Sequence, residues 1–145
     1  MIVLHVVDGD TIRVTNGVSV RLVQIDAPET DAGPECFGER ATRALRRLLP
    51  PGTRIRLVAD PHLDAVDRYG RLLRYVVRAS DGLNVNVELV REGAAAPYFY
   101  RGDRGRFALL LQRLALRARA AHLGLWGACP RTGVDFYRGV DTGTG

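Results

Sequence analysis

The chain has 145 residues, 46% apolar and 26% charged, the length and composition of one folded globular domain rather than of a disordered chain or two domains. Its formal charge is +5 with every one of the 21 basic residues an arginine, which favours a polyanionic partner. No stretch approaches the roughly 18 apolar residues of a membrane helix, so no membrane role is expected, and the opening MIVLHVVDGD carries no basic leader that would assign a compartment. Two cysteines, Cys36 and Cys129, are too few for a structural zinc site, and none of His5, His62 or His122 falls at finger spacing. They read equally as one disulfide or as two buried thiols.

Strands dominate the first third. MIVLHVV (1–7), TIRV (11–14) and VSVRLVQI (18–25) are apolar or alternating runs separated by Asp8-Gly9-Asp10 and Asn16-Gly17, the second a strong hairpin signal. A helix is expected from Gly38 to Leu49, with Ala41, Leu45, Leu48 and Leu49 on one face and a stop at Pro50-Pro51-Gly52. RIRLV (54–58) and RLLRYVV (71–77) complete five strands, separated by a polar loop with Asp60, Asp64, Asp67 and Gly70. A second helix is expected from about Asn84 to Arg91, capped by an Asn and stopped by Gly93. The third and longest spans about Asp103 to Leu123 with Phe107, Leu110, Leu111, Leu114 and Ala118 as its apolar stripe, its arginines reading as a solvated face. The division expected is a domain over 1–128 and a flexible tail over 129–145 that shows no periodicity.

A two-residue turn at Asn16-Gly17 would pair Ile12 with Arg21, Asp10 with Val23 and Asp8 with Ile25. Asp10 and Arg21 would then lie diagonally on one face, and Asp8, Asp10 and Asp26 would converge at one strand end. Glu29 follows in a segment kept extended by Pro28. Crowded carboxylates call for a cation, and a hard divalent ion with oxygen ligands is the economical solution. The plainer reading, in which Asp8 and Asp10 turn the chain and Asp26 simply pairs with Arg21, stays open on spacing alone. Arg21 and Arg71 have the fork geometry to bracket a phosphate. Tyr98 and Tyr100, two apart, can point the same way toward a nucleotide.

The strings VVDGDT (6–11), RLVQIDAPET (21–30), DRYGR (67–71), VNVELVREG (85–93), YFY (98–100) and LGLW (123–126) resemble, in order and spacing, the staphylococcal nuclease family, over about Ile2 to Trp126. The resemblance implies a mainly β member of the α+β class: a five-stranded Greek-key OB-fold barrel with three α-helices. It assigns Asp10, Asp26 and the backbone carbonyl of Ala27 to a calcium ion, with Ala27 standing where the family has Thr, and Asp8 to the surroundings of that metal. Glu29, Arg21 and Arg71 match the catalytic residues. Tyr98, Tyr100 and Arg68, the last where the family commonly has Lys, match positions beside the substrate. The implied activity is calcium-dependent hydrolysis of DNA and RNA to 3′-phosphorylated products with little base preference. Single strands are favoured, double-stranded DNA is cut less readily, and a monomer is expected. A non-catalytic OB-fold nucleic-acid-binding module is the alternative; an interaction domain using the arginine-rich last helix rests on net charge alone.

Overall fold

A computed structural model describes residues 1–30, 35–133 and 135–143. Five strands form the main sheet: β1 (Val3–Asp8), β2 (Thr11–Val14), β3 (Val18–Leu22), β5 (Ile55–Val58) and β6 (Leu72–Arg78). Their order is β1-β2-β3-β6-β5, antiparallel except where β3 runs parallel to β6. The first and last strands meet. Ile2 bridges to Arg54, and the N–H groups of Val3 and Ile55 donate to the carbonyls of Thr53 (2.9 Å) and Met1 (3.0 Å). The sheet therefore closes on itself and loses its exposed edges. Barrel residues Ile12, Val14, Val20, Leu22 and Val76 share one apolar core with Leu45, Leu89 and Leu111 from the helices, all fully buried. The fold is α+β, mainly strands, with three main helices, as expected. Among the described residues no helix is long and apolar enough to cross a membrane.

The hairpin register differs from the expected one. Val14 faces Val18, Ile12 faces Val20 and Thr11 faces Arg21. The loop holds three residues, Thr15 to Gly17, with Asn16 (φ 67°) and Gly17 (φ 73°) both left-handed. The cause is burial. A side-chain period of two means that a one-residue slip would set Ile12, wholly buried, against the polar Arg21, whereas the observed register gives apolar pairs on the core face. The run 18–25 is also broken: Gln24 is left-handed (φ 68°), so β3 ends at Leu22 and a separate strand β4 (Ile25–Asp26) turns away to pair with β7 (Ala96–Pro97). That second, two-stranded sheet was not legible in the pattern.

The helices α1 (Gly38–Leu48) and α2 (Val85–Glu92) fall where the spacing puts them. Asn84 caps α2 by accepting the Val87 N–H at 3.2 Å, and Gly93 (φ 77°) ends it. The last long helix, α3 (Ala108–Ala120), is shorter than expected at both ends. Residues 103–107 are held instead by tertiary bonds: the N–H of Gly105 donates to Gln24 Oε1 (2.7 Å) and that of Arg106 to Asp60 Oδ2 (2.9 Å). Leu110, assigned to the apolar stripe, is exposed, and Ala108, Leu111, Ala115 and Ala118 are the buried set. A short α4 (Leu125–Ala128) follows, and Cys36 and Cys129 form a disulfide that ties its end to the start of α1. The segment after Cys129 has no helix or strand among its described residues. It lies back against the body, with Phe136 buried and its carbonyl accepting the Phe99 N–H at 2.8 Å.

Candidate active site

The turn between β1 and β2 shapes the acidic end of the barrel. Gly9 is packed so closely that a Cβ there would sit 2.6 Å from Ala27 Cβ and 3.2 Å from Ala41 Cβ, so only glycine lets α1 and the segment after β4 approach. Asp8 Oδ1 accepts the Asp10 N–H (3.1 Å), which folds the turn and points Asp10 inward. Asp10, buried, has Oδ2 accepting the Ala27 N–H at 2.9 Å and Oδ1 accepting the Thr11 hydroxyl at 3.1 Å.

Arg21 crosses from β3 to meet it. Nη2 lies 3.4 Å from Asp10 Oδ2 and 3.2 Å from Asp26 Oδ1, while Nη1 donates to the carbonyls of Leu22 (2.6 Å) and Ile25 (2.9 Å). The Asp10–Arg21 proximity expected from sequence is therefore present, though by a different register. Asp10 sits in the turn, outside strand alternation, and the guanidinium reaches it from beside Thr11. The expected convergence of three carboxylates is present: Asp10 and Asp26 meet on one cationic nitrogen, and the Asp8 side chain interacts with that of Asp10. Among the described residues, however, no three His, Cys, Asp or Glu side chains form a ready ligand set. Glu29 is exposed at the rim, its N–H donating to Glu35 Oε1 (3.1 Å).

The second half of the site is a cleft of about 420 Å³ beside this acidic group, in the size range of small-molecule sites. The parallel register sets Arg21 opposite Leu73, so alternation brings Arg21, Leu73 and Arg71 to one side. Likewise the Tyr98 N–H donates to the Gln24 carbonyl (2.8 Å), continuing the β4–β7 pairing and setting Tyr98 near Asp26. The expected substrate residues Arg68, Tyr98 and Tyr100 all line the cleft with Arg21 and Arg71. The tyrosine rings meet edge to face at 6.1 Å, and the intervening Phe99 is buried.

Two residues of the cleft were missed. Asp67 Oδ1 accepts the N–H groups of Tyr69 (2.9 Å) and Arg71 (3.0 Å), and its Oδ2 accepts Arg71 Nε at 2.7 Å. It thereby builds the loop and aims Arg71, whose terminal nitrogens have no hydrogen-bond partner among the described residues. An Asp opening a short loop that ends in Gly70 was the available signal. Tyr69, 68% exposed, stacks under both Arg68 and Arg71, with guanidinium carbons 4.9 and 5.3 Å from its ring centre.

The electrostatics of the acidic group are unbalanced. Burial, then the charge of Asp10, pushes both Asp8 and Asp26 up to about 7. Burial would raise Asp10 as well, but the Arg21 charge and the hydrogen bonds from Ala27 and Thr11 hold it below the usual carboxylate range. One guanidinium thus serves several carboxylates, and the remaining negative charge is what a divalent cation would relieve. The donors are hard oxygens, two of which already converge on one positive group, so the residues suit a hard divalent ion.

The same imbalance sets a pH dependence. Asp8 and Asp26 keep a proton in the folded chain up to about pH 7 that they lose near pH 4 when unfolded, so stability without divalent ions is expected to fall as pH rises between those values. Asp10, Asp60 and Asp67, which are shifted down, act only below about pH 4, where they lose stability on acidification. Urea unfolding in chelator from pH 4 to 8 at fixed ionic strength checks this. A stability that is flat or rising across that window contradicts it.

The closed barrel thus carries an acid–arginine cluster beside an aromatic, arginine-lined cleft. The family model described as staphylococcal nuclease homologue matches residues 19–128, and the chain belongs to that family. It is 37% identical over 138 residues to Endonuclease YhcR of Bacillus subtilis (strain 168) and 37% identical over 134 residues to Protein ParB of Escherichia coli. It is also 30% identical over 131 residues to Thermonuclease of Staphylococcus intermedius. Each match covers 86% of this chain, but it spans 11% of YhcR, 70% of ParB and 74% of the thermonuclease.

Proposed function

We propose that this chain is a calcium-dependent nuclease that hydrolyses phosphodiester bonds of DNA and RNA with little base preference, favours single strands and leaves 3′-phosphorylated ends. The observation that carries this reading is the junction at Arg21, whose guanidinium joins the Asp10–Asp26 pair on one side to the cleft of Arg71 and Tyr98 on the other. Endonuclease and thermonuclease among the names of its relatives support the same reaction class.

Asp10, Asp26 and the Ala27 carbonyl would hold the cation, which when bound supplies positive charge beside the phosphate and a site for water. Glu29, exposed at the rim and close enough to Asp8 and Arg21 to act on their charges, accepts the proton of the attacking water as the new P–O bond forms and the P–O5′ bond breaks, the departing 5′ oxygen taking its proton from solvent water. Arg71 donates from its terminal nitrogens to the phosphate oxygens that gain charge in the transition state, and Asp67 fixes its direction. Arg21 reaches the same oxygens by trading a carboxylate partner for them. Tyr98, Tyr100 and Arg68 hold the flanking nucleotide by contacts that any base satisfies, and splayed single strands present such bases most readily.

Denatured DNA incubated with calcium, and separately with chelator, tests the proposal. Cleavage is expected only with calcium, with 3′-phosphates on the products. Binding without cleavage in calcium, magnesium and manganese alike would favour the non-catalytic OB-fold module instead.

A further inference from the structure

Past the disulfide, residues 139 and 140 are drawn onto Asp26. The Val140 N–H donates to Asp26 Oδ2 at 2.8 Å, the oxygen that Arg21 does not take. Gly139 comes so near that a Cβ would lie 2.9 Å from that oxygen and 4.0 Å from the Tyr98 ring, and its φ of +83° is one that side chains resist. The approach is anchored on both sides. Upstream, Phe136 is buried and bonded to Phe99. Downstream, the Thr142 hydroxyl donates to the Cys36 carbonyl (2.6 Å), its N–H donates to Glu35 Oε2 (3.2 Å), and the Cys36 N–H donates to the Gly143 carbonyl (2.7 Å). Cys36 is itself bound to Cys129.

We propose that this strap is part of the active site, with the Val140 backbone N–H as a positioning group that holds Asp26 by Oδ2 and keeps Oδ1, which Arg21 holds beside Asp10 in this structure, as the oxygen offered to the cation. A ligating carboxylate that is loose about its bond loses affinity, and outer hydrogen bonds of this kind are typically worth about 10–100-fold in metal binding. The strap supplies such a bond without any side chain, so its sequence is constrained only where the backbone must fit: glycine at 139 and an N–H at 140. The disulfide then has a role beyond stability, since it fixes the Cys36 backbone on which the strap is hung.

The inference rests on the proposed cation site, and the test separates the two. Calcium alone is titrated calorimetrically into the full chain and its variants, with thermal unfolding recorded in parallel. Val140→Pro removes the N–H and is expected to weaken calcium binding about tenfold, whereas Val140→Ala keeps the N–H and is expected to bind as the parent does. Gly139→Ala, which pushes the strap off Asp26, is a second route to the same loss should the proline variant fold poorly. In cleavage assays the proline variant should need more calcium than the parent to reach half of its own maximal rate. A parental calcium affinity in Val140→Pro and Gly139→Ala overturns the inference and leaves the nuclease reading standing. Tighter binding in both overturns it too, since the strap would then compete with the cation. Absence of binding by the parent to calcium, magnesium and manganese removes both.

Discussion

Replacing Arg71 by Lys is expected to lower kcat by about 100-fold or more while leaving the fold nearly as stable as before. The two expectations come from different features of one side chain. Arg71 Nε is engaged with Asp67, and its terminal nitrogens face the cleft without a hydrogen-bond partner among the described residues. A donor aimed at charge that develops only in the transition state costs roughly 10²–10³ in kcat when lost. A lysine ammonium reproduces the charge but not the planar fork, and it cannot bond Asp67 and phosphate together. The Asp67 pair itself is partly exposed, so its loss should cost no more than about 1 kcal/mol. Steady-state kinetics beside urea unfolding of both proteins reads the two quantities. A kcat within twofold of the parent would remove Arg71 from the phosphorus centre.

Arg21→Gln is expected to cost stability as well as rate, with the largest stability loss of any single change at the site. Arg21 is largely buried and occupied at both terminal nitrogens, by two carbonyls and by Asp10 and Asp26. Removing one partner of a buried ion pair leaves the other charge unsolvated and typically costs about 3–5 kcal/mol. Here two carboxylates are abandoned together. The loss should be greatest above about pH 7, where Asp26 is ionised, and should shrink toward pH 4 as Asp26 takes up its proton. Unfolding of the variant at those two pH values measures the difference. A pH-independent loss below about 1 kcal/mol would show that Arg21 does not neutralise this cluster.

The parts of this arrangement that could be read from the chain are those set by local chemistry. The Asp-Gly-Asp turn, the Asn84 cap, the Gly93 stop and the spacing of α1 each depend on residues within a few positions of one another, and the structure has them where the pattern does. The candidate site residues come together because the β3 to β6 pairing and the β4 to β7 bend gather short strings that lie far apart in the chain. The register was not legible, because choosing between a two-residue and a three-residue loop at Thr15 to Gly17 requires knowing which face of Ile12 and Val20 is buried. Gln24 gave no sign of its left-handed backbone, which is held by distant bonds from its side chain to Asp103 and Gly105. The segment after Cys129 has no period to detect. Its partners, Asp26, Glu35 and Cys36, lie about a hundred residues upstream.

The most direct measurement is a crystal of the parent protein grown with calcium and examined by anomalous scattering. A single calcium peak is expected about 2.3–2.6 Å from one oxygen each of Asp10 and Asp26 and from the Ala27 carbonyl, with Asp26 Oδ2 still bonded to Val140. A structure at saturating calcium in which Arg21 alone bridges Asp10 and Asp26, with no peak between them, would contradict the account.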